Sequence, residues 1–295
     1  MLDQLEYHSR KKDQSPAFTL VIPTWNNLEI LKNCIKAIRS HSQLFHQILV
    51  IINEGKDKTL NWVKDQPDID YVYSPENIGI CYALNSVRKI IEAEYLLYLN
   101  DDMYVLPGWD TVLNAEIKSL DTKMFMLSAT LIEPNYTGNS CVMVKDYGDR
   151  LENFQEEKLL KEYKSLMRKD WSGSTWPPNI MPIELWDLVG GLSIEYSPGM
   201  YSDPDFSKKI YEAGVRIFKG KGESLVYHFG SKSTKRLKKN TGRIQFIMKW
   251  GLSAKTFGKN FLKIGQDYND QPKVEELSGT DKLINRLKRL YYSLK

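Results

Sequence analysis

The first hundred residues alternate between short apolar runs and segments in which apolar residues recur at helical spacing. The runs at 18–22, 48–52 and 95–99 read FTLVI, ILVII and YLLYL, and each has the length of a buried strand. Between the first two runs, the segment 28–40 carries its apolar residues on one helical face. Apolar strands that alternate with helices form a parallel sheet covered on both faces. The chain is therefore predicted to be an α/β protein with a mostly parallel central sheet.

The remaining elements are predicted from the same periodicities. Further strands are predicted at 71–73, 124–131, 215–218 and 225–227. Further helices are predicted at 58–64, 80–91, 109–120, 150–169 and 205–213, and in the basic chain beyond Lys232. We expect order to begin at Ala17 and residues 171–182 to form a loop rich in Trp, Pro, Ser and Gly.

Composition narrows the class of protein. The chain has 295 residues, of which 42% are hydrophobic and 26% charged, as is ordinary for a globular protein. Cys34, Cys81 and Cys141 are odd in number and far apart, which favours a reducing compartment over a disulfide framework or a cysteine-bound zinc. No secretory signal is visible in residues 1–16, and no apolar run is long enough to cross a bilayer. We expect a cytoplasmic protein, peripheral to the inner face of the membrane at most.

Charge is distributed unevenly along the chain. The formal net charge is +4, but residues 229–295 contain sixteen Lys and Arg against five Asp and Glu. The rest of the chain is therefore acidic, which suits cation binding there and an anionic surface at the basic end. A solvated charged face would explain the same asymmetry.

Asn100-Asp101-Asp102 directly follows a buried strand. Two adjacent carboxylates repel each other unless a cation or water compensates. Hard divalent cations prefer one or two carboxylates together with substrate phosphates, so this tripeptide suits a metal held against a diphosphate. An exposed Asp-rich turn is the structural alternative.

Two later segments carry further groups suited to catalysis. Asp203-Pro204-Asp205 precedes a predicted helix, where either acid would serve as a general base or simply cap the helix. His228 closes a predicted strand, and a neutral imidazole ligates cations such as Mn²⁺, although a structural or solvated histidine fits the same place.

Five short motifs, in order, resemble those of the family 2 glycosyltransferases of the GT-A fold, over about residues 18–258. They are Val21-Ile22-Pro23-Thr24-Trp25-Asn26, Asn77-Ile78-Gly79 with Ala83 and Asn85, Asn100-Asp101-Asp102, Asp203-Pro204-Asp205, and His228-Phe229-Gly230-Ser231. Two positions depart from the family pattern. Asn53-Glu54-Gly55-Lys56 stands where D-D-G-S is usual, and Ser202 replaces the acid before Asp203.

The resemblance implies an inverting glycosyltransferase with a Rossmann-like central sheet, a nucleotide diphosphate sugar donor (UDP-sugar favoured) and Mn²⁺ or Mg²⁺. Asp102 is then the direct metal ligand, with His228 as a second, and Asp203 is the catalytic base, with Asp205 as the alternative. The implied donor-binding residues are Pro23, Thr24, Asn26, Glu54, Asn77, Gly79 and Asp101. The implied acceptor-binding residues are Trp171, Trp176, Gly190 and Gly191.

The same resemblance divides the chain into parts. We expect an N-terminal tail (1–16), a catalytic domain (17–230) with a donor-binding half (17–105) and an acceptor-binding half (106–230), and a basic helical C-terminal extension (231–295). The expected acceptor is a glycan or a lipid-linked molecule, in bacterial-type surface polysaccharide or glycoconjugate synthesis.

The end of the extension has an amphipathic pattern, with an apolar face and a cationic remainder. The apolar face consists of Leu283, Leu287, Leu290, Tyr291 and Leu294, and the cations are Lys282, Arg286, Lys288 and Arg289. This pattern is typical of a helix that lies on an anionic membrane, here through residues 280–295. Docking of the helix on the catalytic domain explains it equally well.

The sequence also leaves other functions open. A sugar nucleotidyltransferase would use a related sheet, but it would need a Gly-rich phosphate loop where this chain has Pro23-Thr24-Trp25-Asn26-Asn27. A catalytically inactive nucleotide-sugar-binding protein would retain the same motifs in degenerate form. Nucleic-acid binding is not expected, since the basic region lacks a recognised motif.

Overall fold

The computed structural model describes residues 4–230, 241–270 and 276–294. Its strands, in chain order, are β1 (Glu6–His8), β2 (Thr19–Trp25), β3 (Gln47–Asn53), β4 (Ile69–Ser74), β5 (Tyr95–Tyr98), β6 (Met103–Val105), β7 (Phe125–Glu133), β8 (Met143–Val144), β9 (Trp171–Ser172), β10 (Asn179–Pro182) and β11 (Ile217–His228). Its helices are α1 (Leu28–His41), α2 (Thr59–Lys64), α3 (Gly79–Ser86), α4 (Trp109–Ser119), α5 (Glu156–Glu162), α6 (Ile183–Val189), α7 (Ser202–Glu212), α8 (Gly242–Trp250), α9 (Ala254–Asn260) and α10 (Gly279–Ser293).

The strands form one sheet with the order β1-β4-β3-β2-β5-β10-β7-β11-β6, while β8 pairs with β7 and β9 with β11. The neighbours β4, β3, β2 and β5 are parallel, as are β7 and β11. Between these two parallel groups, β10 runs antiparallel to both β5 and β7. The predicted α/β class with a mostly parallel central sheet is confirmed.

Elements predicted in the first 133 residues are confirmed, with ends that shift by up to three residues. The helix predicted at 80–91 ends as an α-helix at Ser86 and continues as a 3₁₀ turn, Val87–Ile90. The expectation that order begins at Ala17 is wrong, because β1 pairs with β4. The segment after β1 is also fixed, since the Lys12 ammonium lies 2.7 Å from the buried Asp70 carboxylate.

Predictions in the second half need correction. The helix predicted at 150–169 is broken into two 3₁₀ turns, Leu151–Asn153 and Tyr163–Leu166, on either side of α5. The loop predicted at 171–182 contains β9 and β10, of which β10 lies in the middle of the sheet. The strands predicted at 215–218 and 225–227 are one strand, β11, with an irregularity between Lys221 and Leu225. A bulge of this kind interrupts the alternation from which a strand is recognised.

Helices cover both faces of the sheet, each over its own hydrophobic core. One core takes side chains from α1, α4 and α5. The other takes side chains from α3, α6 and α7, and also Phe246 of α8 and Phe257 of α9. The expected division at residue 230 stays a prediction, but residues on both sides of it share this second core. Among the described residues, no helix is long and apolar enough to cross a membrane.

Candidate active site

A cleft of about 970 Å³ opens at the carboxyl ends of β2 and β5, between the first turn of α7 and α9. Loops after neighbouring parallel strands meet at this edge of the sheet, where ligands of such sheets bind. Nine of the residues predicted for the site line the cleft. They are Pro23, Thr24, Asn77, Gly79, Asp101, Asp102, Trp176, Asp203 and His228.

Asp102 and His228 are brought together by the pairing of β6 with β11. These strands are antiparallel with His228 opposite Met103, and the Phe229 amide donates to the Asp102 carbonyl at 3.1 Å. The His228 Nε2 atom consequently lies 3.3 Å from Asp102 Oδ1. Its other nitrogen, Nδ1, lies 2.8 Å from Oε1 of Glu133, the last residue of β7. All three side chains line the cleft.

Two carboxylates, those of Asp102 and Glu133, flank the single imidazole of His228. Burial by itself lowers the pKa of His228, but the carboxylates of Asp102 and Glu133 raise it to about 10. The imidazole is therefore held as a cation between two anions, in the place where a metal cation would supply the same positive charge. Glu133 was missed by the sequence analysis, although an acid that ends an otherwise apolar strand is a detectable signal.

The donor set fits an open cation site. Asp102 would supply carboxylate oxygen, and His228 would supply imidazole nitrogen once a bound metal displaced the proton of Nε2, a combination suited to Mn²⁺. Glu133 would fix the orientation of the imidazole through Nδ1, as carboxylates do behind metal-bound histidines. Across the described ranges, no group of three or more His, Cys, Asp and Glu side chains is arranged to hold a metal ion by itself. Phosphate oxygens of a substrate would therefore have to complete the coordination.

Asp203 is the second residue of α7 and lines the cleft. In the part of the chain that the structure describes, its carboxylate has no hydrogen-bond or ion-pair partner. Burial raises the pKa of Asp203 to about 7. A carboxylate with this pKa is half ionised at neutral pH, which suits a group that removes a proton from a hydroxyl.

Asp205, two residues further along α7, has a different environment. It is fully buried, and it accepts hydrogen bonds from Ser193 Oγ at 2.6 Å and Trp250 Nε1 at 2.7 Å. The Lys249 ammonium lies 3.0 Å from the same carboxylate. Asp205 does not line the cleft. It joins α7 to α8.

Asn26 and Glu54 lie beside the cleft but are not part of its wall. The Glu54 carboxylate accepts hydrogen bonds from Asn26 Nδ2 at 2.6 Å, Trp25 Nε1 at 2.8 Å and Lys56 Nζ at 2.7 Å. The bonds from Lys56 and Trp25 lower the pKa of Glu54 to about 2. Glu54 is thus ionised, and it fixes Trp25, which does line the cleft.

Of the residues predicted to bind the acceptor, Trp176 lines the cleft and is 36% exposed. Trp171 is buried away from the cleft wall, where its Nε1 donates to Thr130 Oγ1 at 2.7 Å. Its indole covers Gly220 of β11, where a Cβ atom would come within 1.9 Å of the ring.

Gly190 and Gly191 end α6 with positive φ angles of 71° and 64° and do not line the cleft. The next residue, Leu192, is held by Asn85 of α3, whose side chain bonds both its amide and its carbonyl at 2.8 Å. The two glycines therefore let the chain turn back onto α3.

Comparison with known proteins relates part of the chain to a described family. The sequence profile described as "Glycosyl transferase family 2" matches residues 19–169, about half of the chain. The match ends before Asp203 and His228. Among curated proteins, the chain is 22% identical to the putative colanic acid biosynthesis glycosyl transferase WcaA of Escherichia coli, over 38% of this chain and 42% of that protein. The matches cover 20% and 42% of the length of the first curated relatives.

Solved structures show the fold. The TarS fragment 1–349 from S. aureus, in complex with UDP-GlcNAc, has a TM-score of 0.57 at 12% identity, over 94% of this chain and 71% of that one. The mannosyltransferase PcManGT from Pyrobaculum calidifontis, in complex with GDP-Man and Mn²⁺, has a TM-score of 0.52 at 16% identity, over 97% and 76%. The chain therefore has the GT-A fold of these enzymes, as expected from the sequence.

Removing the charge of Asp205 should destabilise the folded protein, whereas removing the charge of Asp203 should not. Asp205→Asn takes the carboxylate away from Lys249 and Trp250, and breaking a buried ion pair costs about 3–5 kcal/mol. We expect a loss at the lower end of this range, because the Lys249 side chain is 31% exposed. Urea unfolding at pH 8 measures the change.

Asp203→Asn is the matched control. With a folded pKa of about 7 against about 4 when unfolded, the Asp203 carboxyl contributes stability below pH 4 that is lost as pH rises through 7. Asparagine does not titrate, so at pH 8 this variant should be at least as stable as the wild type. A comparable loss of stability in both variants would contradict the assignment.

Proposed function

The chain belongs to glycosyl transferase family 2, and we propose that it transfers a sugar from a nucleotide diphosphate donor to an acceptor hydroxyl with inversion of configuration. The observation that carries the proposal is the placement of Asp203, a carboxylate with no partner among the described residues, in the same cleft as the Asp102–His228 pair. Such a transfer needs one group that stabilises the leaving diphosphate and another that activates the acceptor hydroxyl. The Asp102–His228 pair suits the first task and Asp203 suits the second.

The donor end of the cleft is formed by the loops after β2 and β5 and the start of α3. We assign donor contacts to Pro23, Thr24, Asn26, Glu54, Asn77, Gly79 and Asp101. The solved relatives bind UDP-GlcNAc and GDP-Man, and we favour a UDP-sugar here. Glu54 stays ionised beside the cleft, and the hydrogen bond that it accepts from Trp25 Nε1 fixes the indole that lines the donor end.

Asp102 and His228 would hold Mn²⁺ or Mg²⁺, which neutralises the charge of the diphosphate as it leaves. Glu133 keeps the imidazole in position. The donor set of one carboxylate and one imidazole favours Mn²⁺ over Mg²⁺, because Mg²⁺ prefers oxygen ligands.

Asp203 acts as the base. It takes the proton of the acceptor hydroxyl, whose oxygen forms a bond to the anomeric carbon on the face opposite the diphosphate. The bond from that carbon to the phosphate oxygen breaks, and the nucleoside diphosphate leaves with the electron pair. Attack from the opposite face inverts the configuration. Trp176 offers an exposed indole face for the acceptor.

A curated relative supports a proposal about the wider setting. WcaA is described as a putative colanic acid biosynthesis enzyme, and we propose a role in surface polysaccharide or glycoconjugate synthesis at the cytoplasmic side of a membrane. The acceptor is then a glycan or a lipid-linked molecule.

A panel of nucleotide sugars tests the activity directly. We expect one donor to be hydrolysed in the presence of Mn²⁺, releasing a nucleoside diphosphate, and hydrolysis to stop when the cation is chelated. Release of pyrophosphate would instead identify a sugar nucleotidyltransferase. Donor binding without any turnover would identify an inactive binding protein.

Removing the base should affect transfer and not donor binding. General base catalysis contributes about 10²–10⁴-fold, so Asp203→Asn should lower the transfer rate by that factor with an unchanged donor Kd. In the wild type the rate should rise with pH up to about 7, where Asp203 becomes ionised, and then level off. Loss of transfer in Asp205→Asn alone, with donor binding intact, would make Asp205 the base.

We further propose that α10 lies on an anionic membrane. The helix packs on the rest of the chain through its polar side, where Asn285 is buried and its Oδ1 accepts from the Ser253 amide at 2.8 Å. On the same side, Arg243 Nη2 donates to Tyr292 Oη at 2.7 Å. The apolar residues are left on the outside. Leu283, Leu287, Leu290, Tyr291 and Leu294 are each between 54% and 79% exposed.

Charge complementarity supports an anionic membrane as the occupant of this apolar face. At about 100° per residue, the leucines span one arc of the helix, with Arg286 on one side of it and Lys288 on the other. Both cations are exposed. Lysine and arginine beside an apolar strip are typical of helices that sit at the surface of anionic lipids. A protein partner that covered the strip would not need cations on both sides.

Leu287→Glu with Leu290→Glu tests the membrane proposal in the full chain, because both side chains are more than half exposed. Binding to vesicles of phosphatidylglycerol and phosphatidylcholine should fall by about tenfold for each leucine. Removal of residues after Ser278 should abolish it. Leu188→Glu, at an exposed leucine of α6, is the control. Sedimentation with vesicles that is unchanged in the double variant would refute the proposal.

A further inference from the structure

Helix α9 forms one wall of the cleft and carries two cations on it. Lys255 and Lys259 both line the cleft, and both are exposed. They are four residues apart, so their side chains lie on the same face of the helix. Phe257, between them in sequence, also lines the cleft and packs edge-on against Tyr211 of α7 at 5.5 Å. The lysine pair therefore faces the space into which Asp203 of α7 also opens.

These two lysines differ from the others around the acceptor half. Lys208 pairs with Glu212, and Lys209 donates to the carbonyls of Val189 and Gly191. Lys249 pairs with both Glu195 and Asp205. Within 4–230, 241–270 and 276–294, neither Lys255 nor Lys259 has an ion-pair or hydrogen-bond partner.

Like charges at this spacing repel each other, and the first turn of α9 contains no acid to compensate. No ion pair or hydrogen bond among the described residues stabilises the two cations at this place. Their positive charge is available to a ligand in the cleft.

The other charged groups of the cleft indicate which ligand this is. Asp101, Asp102, Glu133 and His228 lie on the donor side, where the proposed cation neutralises the donor diphosphate. Asp203 receives the acceptor hydroxyl, and α9 packs beside the helix that carries Asp203. Negative charge held on the α9 side therefore belongs to the acceptor.

On the basis of the proposed transferase function, we infer that the acceptor carries a phosphate group, bound by Lys255 and Lys259 while its hydroxyl lies at Asp203. Ammonium groups on flexible stems bind phosphate as point charges, and two together match the two negative charges of a phosphate monoester or diphosphate. The extension that carries the pair also carries α10, and the two are joined by the hydrogen bond from the Ser253 amide to Asn285. The phosphate site thus keeps a fixed position relative to α10.

Binding of small probes tests this assignment. The full chain is saturated with UDP and Mn²⁺, so that the donor side is filled, and titrated with octyl phosphate, octyl glucoside and inorganic phosphate. We expect octyl phosphate to bind about tenfold more tightly than octyl glucoside, since a charge-assisted hydrogen bond accounts for at least that ratio. Comparable affinities for inorganic phosphate and octyl phosphate would indicate a water-soluble phosphate ester. A marked preference for octyl phosphate over inorganic phosphate would indicate a lipid-linked phosphate.

Lys255→Gln with Lys259→Gln should remove the preference for octyl phosphate and leave the affinity for UDP unchanged. Lys158→Gln with Lys161→Gln, two exposed lysines on α5, is the control and should behave as the wild type. An equal affinity of the wild type for octyl phosphate and octyl glucoside would overturn the inference. So would a preference that survives in the Lys255/Lys259 variant.

A weaker affinity for UDP in this variant would also overturn it, because the pair would then belong to the donor. The result is separable from the transferase assignment. A wild type that transfers sugar but shows no preference for octyl phosphate retains the proposed function and loses only the phosphate site.

Discussion

The site depends on one register, the antiparallel pairing of β6 with β11. These strands come from parts of the chain more than a hundred residues apart, and their pairing sets His228 opposite Met103. Side chains alternate between the two faces of a sheet, so a slip of one residue would turn His228 away from Asp102. The parallel pairing of β11 with β7 adds the third side chain, because it brings Glu133 to the other nitrogen of the same imidazole. The proposed cation site is thus a product of sheet geometry.

The two acids of α7 illustrate how a helix separates identical side chains. Asp203 and Asp205 are two residues apart, which is about 200° around the helix axis. One therefore faces the cleft, without a partner among the described residues, while the other faces α8 and is held by Ser193, Lys249 and Trp250. The first keeps a raised pKa because burial disfavours its charge. A single turn of helix thereby contributes both a reactive group and the contact that keeps it in place.

Much of this could be predicted from the sequence, for identifiable reasons. Buried parallel strands are nearly continuous apolar runs, so β2, β3 and β5 and the loops after them were recognisable. Strand β10 was not, because Asn179-Ile180-Met181-Pro182 is short and follows two prolines. Trp171 was predicted for a binding loop, but whether an indole packs on a glycine or on a sugar depends on tertiary structure. The partners of Asp205 and Glu54 and the role of Glu133 were invisible for the same reason, since hydrogen bonds across the fold leave no local pattern.

The anchoring of Asp205 has a consequence for how the enzyme is assembled. Its partners Lys249 and Trp250 lie 44 and 45 residues further along the chain. During synthesis, the strands and the acids proposed to bind a cation emerge first, and amino-terminal parts of a chain generally fold first. The helix that bears Asp203 remains without its anchor until the ribosome has released the chain past Trp250. The end of the cleft proposed to hold the nucleotide is therefore complete before the end that carries Asp203, so a nascent chain would acquire the shape to hold a donor before it acquires the means to use it.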